Sequence, residues 1–280
     1  TLLDDDAIPT VSLSTVAASI DEEVGTTTTA FTTVTATLSA VSGRIVTVTL
    51  QTSGTATDSD DYKLGSITIS IPEAIISAST SLTALGDLLD ETNETVVLDI
   101  INVTNGSESG NQVKTVTIVD DDLEPRVSLS VDTNSINEKT GVRSTLVTAT
   151  IDALSEKVVT ATLVTSGTTT SDDFTLPPTI EIQAKTFSTS VTLAAVNDEP
   201  LDEDLETVTV TAVCNTGSNC RVGATPSVTV TIVDETTPPQ VTLSVASQSI
   251  SETGATATLV TARLAQLSAR VVTVNLAASG

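Results

Sequence analysis

Along most of the chain Val, Leu, Ile and Ala alternate with Thr and Ser. Between 126 and 234 the alternation predicts seven strands, VSLSV (127–131), STLVTATI (144–151), KVVTATLVT (157–165), TIEIQ (179–183), STSVTLAAV (188–196), TVTVTAV (207–213) and SVTVTIVD (227–234). A period of two turns one residue of each pair towards a core and the next towards water. Thr suits the wet face, because its β-branch favours extended backbone without adding apolar surface. Seven such strands separated by turn signals predict an all-β fold, an immunoglobulin-like seven-stranded antiparallel β-sandwich.

The same pattern occurs more than once. TVSLS, RVSLS and QVTLS start at 10, 126 and 240, each preceded by a proline (Pro9, Pro125, Pro239). SIDEEVG, SINEKTG and SISETG follow them, TSGTATDSDDY parallels TSGTTTSDDF, and VTIVDDD parallels VTIVDET. Ile118 and Ile232 lie 114 residues apart, a spacing that fits one whole domain per repeat. The expected organisation is the tail of one repeat at 1–8, domains at 9–124 and 125–237, and the first part of a further copy at 238–280. The acidic start TLLDDDAIPT carries no leader pattern and VVTVNLAASG stops inside a strand pattern, so the sequence reads as an internal piece of a longer chain.

Direction then decides where the acids go. In an antiparallel sandwich, the loops after the first, third and fifth strands share a pole with the end of the seventh. In the second copy these stations carry Glu138, then Asp172 and Asp173, then Asp198, Glu203 and Glu206, then Asp234 and Glu235. In the first they carry Glu22, then Asp60 and Asp61, then Asp87, Asp90, Glu91 and Glu94, then Asp120, Asp121 and Asp122. Carboxylates about 5 Å apart repel by roughly 1–3 kcal/mol per pair, depending on screening by water. With no Lys or Arg expected nearby, a cation is the natural counter-charge. Ca²⁺ takes six to eight oxygens in irregular geometry, which suits carboxylates from several loops better than the tight octahedron of Mg²⁺. The competing expectation is a solvated acidic pole that serves solubility.

Composition narrows the chemistry. The chain has 36 acidic and 11 basic residues, a net charge of −25, and no His, Trp or Met. Nucleic acid is an unsuitable partner for so acidic a surface, and without imidazole transition metals are disfavoured. No apolar run reaches the length of a membrane span. Absent His, a base partner for Ser, and any phosphate-cradling Gly-rich loop, an enzyme is not expected. Cys214 and Cys220, in CNTGSNC, are expected to form a small disulfide, which implies an oxidising compartment.

The order of these motifs resembles the Calx-beta domain: Glu in the first loop, SDDY or SDDF, an Asp-rich run ending in Glu-Thr, then IVDDD. The resemblance implies a calcium-binding seven-stranded sandwich, of the type found in sodium–calcium exchangers, integrin β4 and large bacterial surface proteins. Its signature of Asp followed by Glu five and eight residues later is met by Asp198, Glu203 and Glu206. Asp87, Glu91 and Glu94 run one residue short, and the second copy ends in VDET rather than VDDD. The expected role is a calcium-rigidified stalk or filament segment of a large secreted or cell-surface adhesin. Its expected partners are adjacent repeats of the same chain, like chains in a fibre, or a surface or matrix target bound elsewhere. The alternative is a regulatory calcium sensor of the exchanger type. Neighbouring repeats with a four-residue connection place the expected ions close to the junction.

Overall fold

The computed structural model describes residues 7–22, 30–197, 203–254 and 256–279, which fall into two compact units. The first comprises 1–124 together with the pentapeptide 153–157; the second comprises 125–152 and 158–280. Residues 238–280 thus cluster with the second unit.

The first unit holds β1 (Thr10–Thr15), β2 (Ser19–Asp21), β3 (Phe31–Leu38), β4 (Val46–Gly54) and β5 (Tyr62–Leu64). It continues with β6 (Thr68–Ile71), β7 (Ser77–Ala84), β8 (Glu94–Thr104), β9 (Ser107–Glu108) and β10 (Val113–Val119). They form two sheets, β5-β7-β3-β1-β9 and β2-β10-β8-β4-β6. The second unit repeats this with β11 (Arg126–Val131), β12 (Ser135–Asn137), β13 (Ser144–Ile151), β14 (Val159–Gly167) and β15 (Phe174–Thr175). Then follow β16 (Thr179–Ile182), β17 (Ser188–Ala195), β18 (Glu206–Val213), β19 (Arg221–Val222) and β20 (Ser227–Val233). Its sheets, β15-β17-β13-β11-β19 and β12-β20-β18-β14-β16, have the same order. The protein is therefore built of immunoglobulin-like β-sandwiches, and the seven expected strands are β11, β13, β14, β16, β17, β18 and β20.

Three short strands per sandwich go beyond that expectation. The first strand is split: β11 lies in one sheet, while β12 pairs in parallel with β20 in the other. The crossing carries Ile136 into the core, where it pairs with Ile232 and is fully buried. β2 repeats the arrangement against β10 around Ile20.

Each core is aliphatic. Val11, Leu13, Val34, Val48, Leu82 and Leu98 are buried in the first, and Val127, Leu129, Val147, Ala161, Leu193 and Val208 in the second. Each fully buried Val, Leu or Ile contributes about 1.5–3 kcal/mol relative to exposure. Tyr62 is the buried aromatic of the first core, and Phe174 packs partly buried at the same station of the second. Phe31 and Phe187 face water. On the wet faces hydroxyl pairs bridge the strands, Thr35 with Ser79, Thr148 with Ser190 and Thr209 with Thr229, each at 2.8 Å.

After β20, β21 (Val241–Val245) and β22 (Val260–Leu264) form a separate antiparallel pair. Its register, Val241 with Leu264 and Leu243 with Ala262, repeats that of Val11 with Leu38 and Leu13 with Ala36. Leu243 is 54 % exposed where Leu13 is 3 % exposed, because the pair lacks a covering sheet among the described residues.

Candidate metal centre

Glycine sets the approach of the loop after β4. Gly54 has φ 123°, and a Cβ there would meet the Thr95 carbonyl oxygen at 2.1 Å. Gly167 has φ 132°, and its Cβ would meet the Thr207 oxygen at 2.0 Å. Without side chains, these positions let the loop cross directly over the start of β8 or β18. The crossing is tied by Thr55 and Ala56 N–H donating to Thr95 C=O, and by Thr168 and Thr169 N–H donating to Thr207 C=O. Thr95 N–H donates back to Thr55 Oγ1 at 2.9 Å, and Thr207 N–H to Thr168 Oγ1 at 2.8 Å. Each Thr directly follows a glutamate, Glu94 or Glu206, so the crossing brings the Ser-Asp-Asp turn to that glutamate.

The result is a carboxylate triad in each sandwich. Oxygens of Asp61, Glu91 and Glu94 lie within 4.8 Å of one another, as do those of Asp173, Glu203 and Glu206. Thr57 N–H holds Asp61 Oδ2 at 2.5 Å and Thr170 N–H holds Asp173 Oδ2 at 2.5 Å. Of each Asp pair only the second joins a triad; Asp60 and Asp172 are exposed outside them.

The other stations close around the first triad. Burial pushes the Glu22 carboxyl up to about 8, reinforced by the charges of Glu91, Asp87, Asp120 and Asp61. These charges come from the other three acidic segments, so with Glu22 all four meet. Burial likewise raises Glu91 to about 7, with Glu156, Asp61, Asp87 and Asp120 adding to it. Glu94, also at about 7, is raised by burial, by a hydrogen bond shared with Asp61 and by its charge. Asp122 reaches about 6 through burial and the charges of Asp120, Asp121, Asp87 and Asp90. Asp120 is raised by burial, against backbone N–H groups of Glu91 and Asp122 and the Lys157 ammonium. Asp121 points to solvent, and Asp87 accepts from Leu89 N–H at 2.6 Å. Glu94 Oε2 and Asp122 Oδ2 are buried with no hydrogen-bond partner among the described residues.

Asp90 differs from its neighbours. It is 1 % exposed and is held by Ser155 Oγ, which donates to Oδ2 at 2.5 Å, and by Lys157 Nζ, 2.5 Å from Oδ1. Lys157 Nζ is also 4.0 Å from Asp120 Oδ2. The acidic pole of the first unit thus contains a lysine, against the expectation of none nearby. A buried carboxylate needs such a partner. Ser155 and Lys157 went unremarked in the sequence, although Ser-x-Lys/Arg recurs at 42–44, 155–157 and 268–270.

In the second sandwich Asp234 Oδ2 accepts from Glu203 N–H at 2.7 Å and Oδ1 from Thr236 N–H at 2.6 Å. Glu138 is buried, its N–H donating to Val233 C=O at 3.2 Å. Glu235 turns away from the triad: its oxygens accept from Thr140 Oγ1 and from the N–H groups of Thr140 and Lys139. The Thr140 contacts hold its carboxyl below the usual range. Asp198 lies outside the described residues. Cys214 and Cys220 are joined in a disulfide with Cα atoms 5.5 Å apart, after the end of β18, and no cysteine is free.

No helix of the described residues is long and apolar enough to cross a membrane. No protein-family model and no curated protein matches the chain. Among solved structures it is similar to CBD12 from CALX1.2, at 14 % identity over 76 % of this chain and 95 % of that one, with a TM-score of 0.34. It is also similar to the calcium binding domain CBD12 of CALX1.1, at 11 % identity over 77 % and 96 %, TM-score 0.34. A third is a putative carbohydrate binding protein from Bacteroides ovatus, at 13 % identity over 73 % and 64 %, TM-score 0.37. At these scores the likeness carries no functional weight.

Proposed function

We propose that each sandwich binds Ca²⁺ at its acidic pole, and that the chain is a calcium-stiffened structural segment of a large extracellular or cell-surface protein. The observation that carries this is the pair of equivalent triads, Asp61/Glu91/Glu94 and Asp173/Glu203/Glu206, with oxygens within 4.8 Å. Ligands about 2.4 Å from one ion lie at most about 4.8 Å apart, so one cation fits among them. The donors are all oxygen, which favours a hard cation. The unpartnered oxygens of Glu94 and Asp122 are further available ligands in the first sandwich. There the ion would supply the positive charge that releases these carboxyls from their protons. Glu22, Asp87 and Asp120 complete that surround; Glu138 and Asp234 do so in the second.

The extracellular assignment is supported by the disulfide, which persists in oxidising compartments. Surfaces of Thr and Ser suit an exposed extender, and carboxylates repeated in both sandwiches suit scaffolding better than an active site. We read the chain as non-enzymatic for that reason.

Calorimetric titration of the metal-free chain with CaCl₂ tests the reading. The expected result is binding at both sandwiches on the order of 10⁻⁴–10⁻³ M, as in extracellular modules, with a melting temperature that falls in EGTA. Micromolar affinity would point to a sensor instead. Absence of heat together with melting indifferent to EGTA would leave only a solvated acidic pole.

A further inference from the structure

The Ser-x-Lys/Arg triplet stands at the same place in every repeat: Ser42-Gly43-Arg44, Ser155-Glu156-Lys157 and Ser268-Ala269-Arg270. All three fold alike. The serine Oγ accepts from the N–H of the basic residue two positions on, at 3.0, 3.0 and 3.1 Å.

Two of the triplets hold an acidic group. Within the first unit, Ser155 and Lys157 bind the Asp90 carboxylate, and Lys157 Nζ also donates to Glu91 C=O at 2.8 Å. The backbones join too: Glu156 N–H donates to Asp90 C=O at 3.0 Å, and Asp90 N–H to Leu154 C=O at 3.3 Å. Within the second unit, Arg270 Nε lies 3.0 Å from Asp204 Oδ1. The remaining triplet has no such occupant among the described residues. Arg44 is exposed and makes no ion pair among the described residues. Val41, at the station of the half-buried Leu154, is 61 % exposed. A cavity of about 360 Å³ opens beside them, lined by Ile8, Pro9, Val41, Ser42, Arg44 and Asn105.

We propose that the Ser42–Arg44 loop and this cavity are a receptor for the acidic loop of another sandwich of this kind, anchored by an aspartate at the station of Asp90. Four features match the occupied triplet: a hydroxyl donor, a cation, an N–H at Gly43 with no acceptor among the described residues, and an apolar residue at 41 awaiting cover. Charge-assisted hydrogen bonds are stronger than neutral ones, and here a hydroxyl, a cation and a backbone N–H converge on one acceptor segment. That combination selects a folded acidic loop over a small anion. The inference is independent of calcium.

The test retains the full chain and places a second copy of residues 7–122 ahead of Ala7, so that VDDD precedes AIP with the spacing of VDDD before LEP. Amide exchange at Gly43 is followed in EGTA and in calcium, with Glu156 as the internal reference. The expected result is at least tenfold slower exchange at Gly43 than in the native chain. The slowing should be lost on Asp90→Ala in the added copy and on Arg44→Ala in the native one. Unchanged exchange, or slowing that survives both substitutions, overturns the proposal. So does equal slowing of the native chain by free acetate, which would mark a small-anion site. No arm reads a bound ion, so failure here leaves the calcium reading standing.

Discussion

Glu22, Glu91, Glu94 and Asp122 are carboxyls that the metal-free fold holds protonated to unusually high pH. In the unfolded chain they release protons near 4.5 for Glu and 3.8 for Asp; folded, they release them between about 6 and about 8. Across that interval the folded state binds more protons, so metal-free stability is greatest below about pH 4 for these groups and is lost as pH rises towards 8. The melting temperature in EGTA should therefore fall between pH 5 and pH 8. In saturating calcium the trend should reverse, because protons then compete with the ion. A scan of melting temperature against pH in both buffers checks the sign. Glu94→Gln isolates one member: it removes a charge without removing volume. It should raise the metal-free melting temperature at pH 8 while weakening calcium binding at least tenfold in calorimetry. A variant that binds as tightly as the parent would exclude Glu94 as a ligand.

At the scale of elements, the crossing of the loop after β4 over the start of β8, and of the loop after β14 over the start of β18, decides whether the acidic loops meet. Gly54→Ala and Gly167→Ala each force a Cβ to about 2 Å from a carbonyl oxygen at positive φ. The expected cost is about 2–4 kcal/mol, read as a lower urea midpoint, with calcium affinity falling in the same sandwich. Reduction of Cys214–Cys220 should be milder, since closing so short a loop contributes at most roughly 2 kcal/mol. Thermal unfolding with and without reductant should show a drop of several degrees in the second sandwich and none in the first. A drop in both would mean that the bond supports more than its own turn.

For the molecule as a whole, the proposed stiffening by calcium concerns many carboxylates at once. The net charge of −25 makes self-repulsion large at low ionic strength. Small-angle scattering in EGTA and in calcium should give different radii of gyration and a narrower spread of dimensions in calcium. Identical profiles in both buffers would remove the structural role while leaving ion binding intact.

The alternation of Val and Ile with Thr, read with the repeat, was enough for the class of fold and the seven main strands. Period-two burial and antiparallel reversal are local rules, and local rules are legible in one dimension. Which carboxylates meet was not legible. Asp60 and Asp61 are adjacent, yet a turn of strand direction and a hydrogen bond from Thr57 send only Asp61 to the triad. Asp90, read as one more ligand, is held instead by Ser155 and Lys157, and that depends on a segment 65 residues away. The split first strand was not legible for the same reason, since Ile20 and Ile136 are buried by pairing with Ile118 and Ile232, about 100 residues away. Sequence pattern decided which groups are acidic and roughly where they end up. Tertiary structure decided their partners, because contacts within a few ångströms join residues that no short-range periodicity relates.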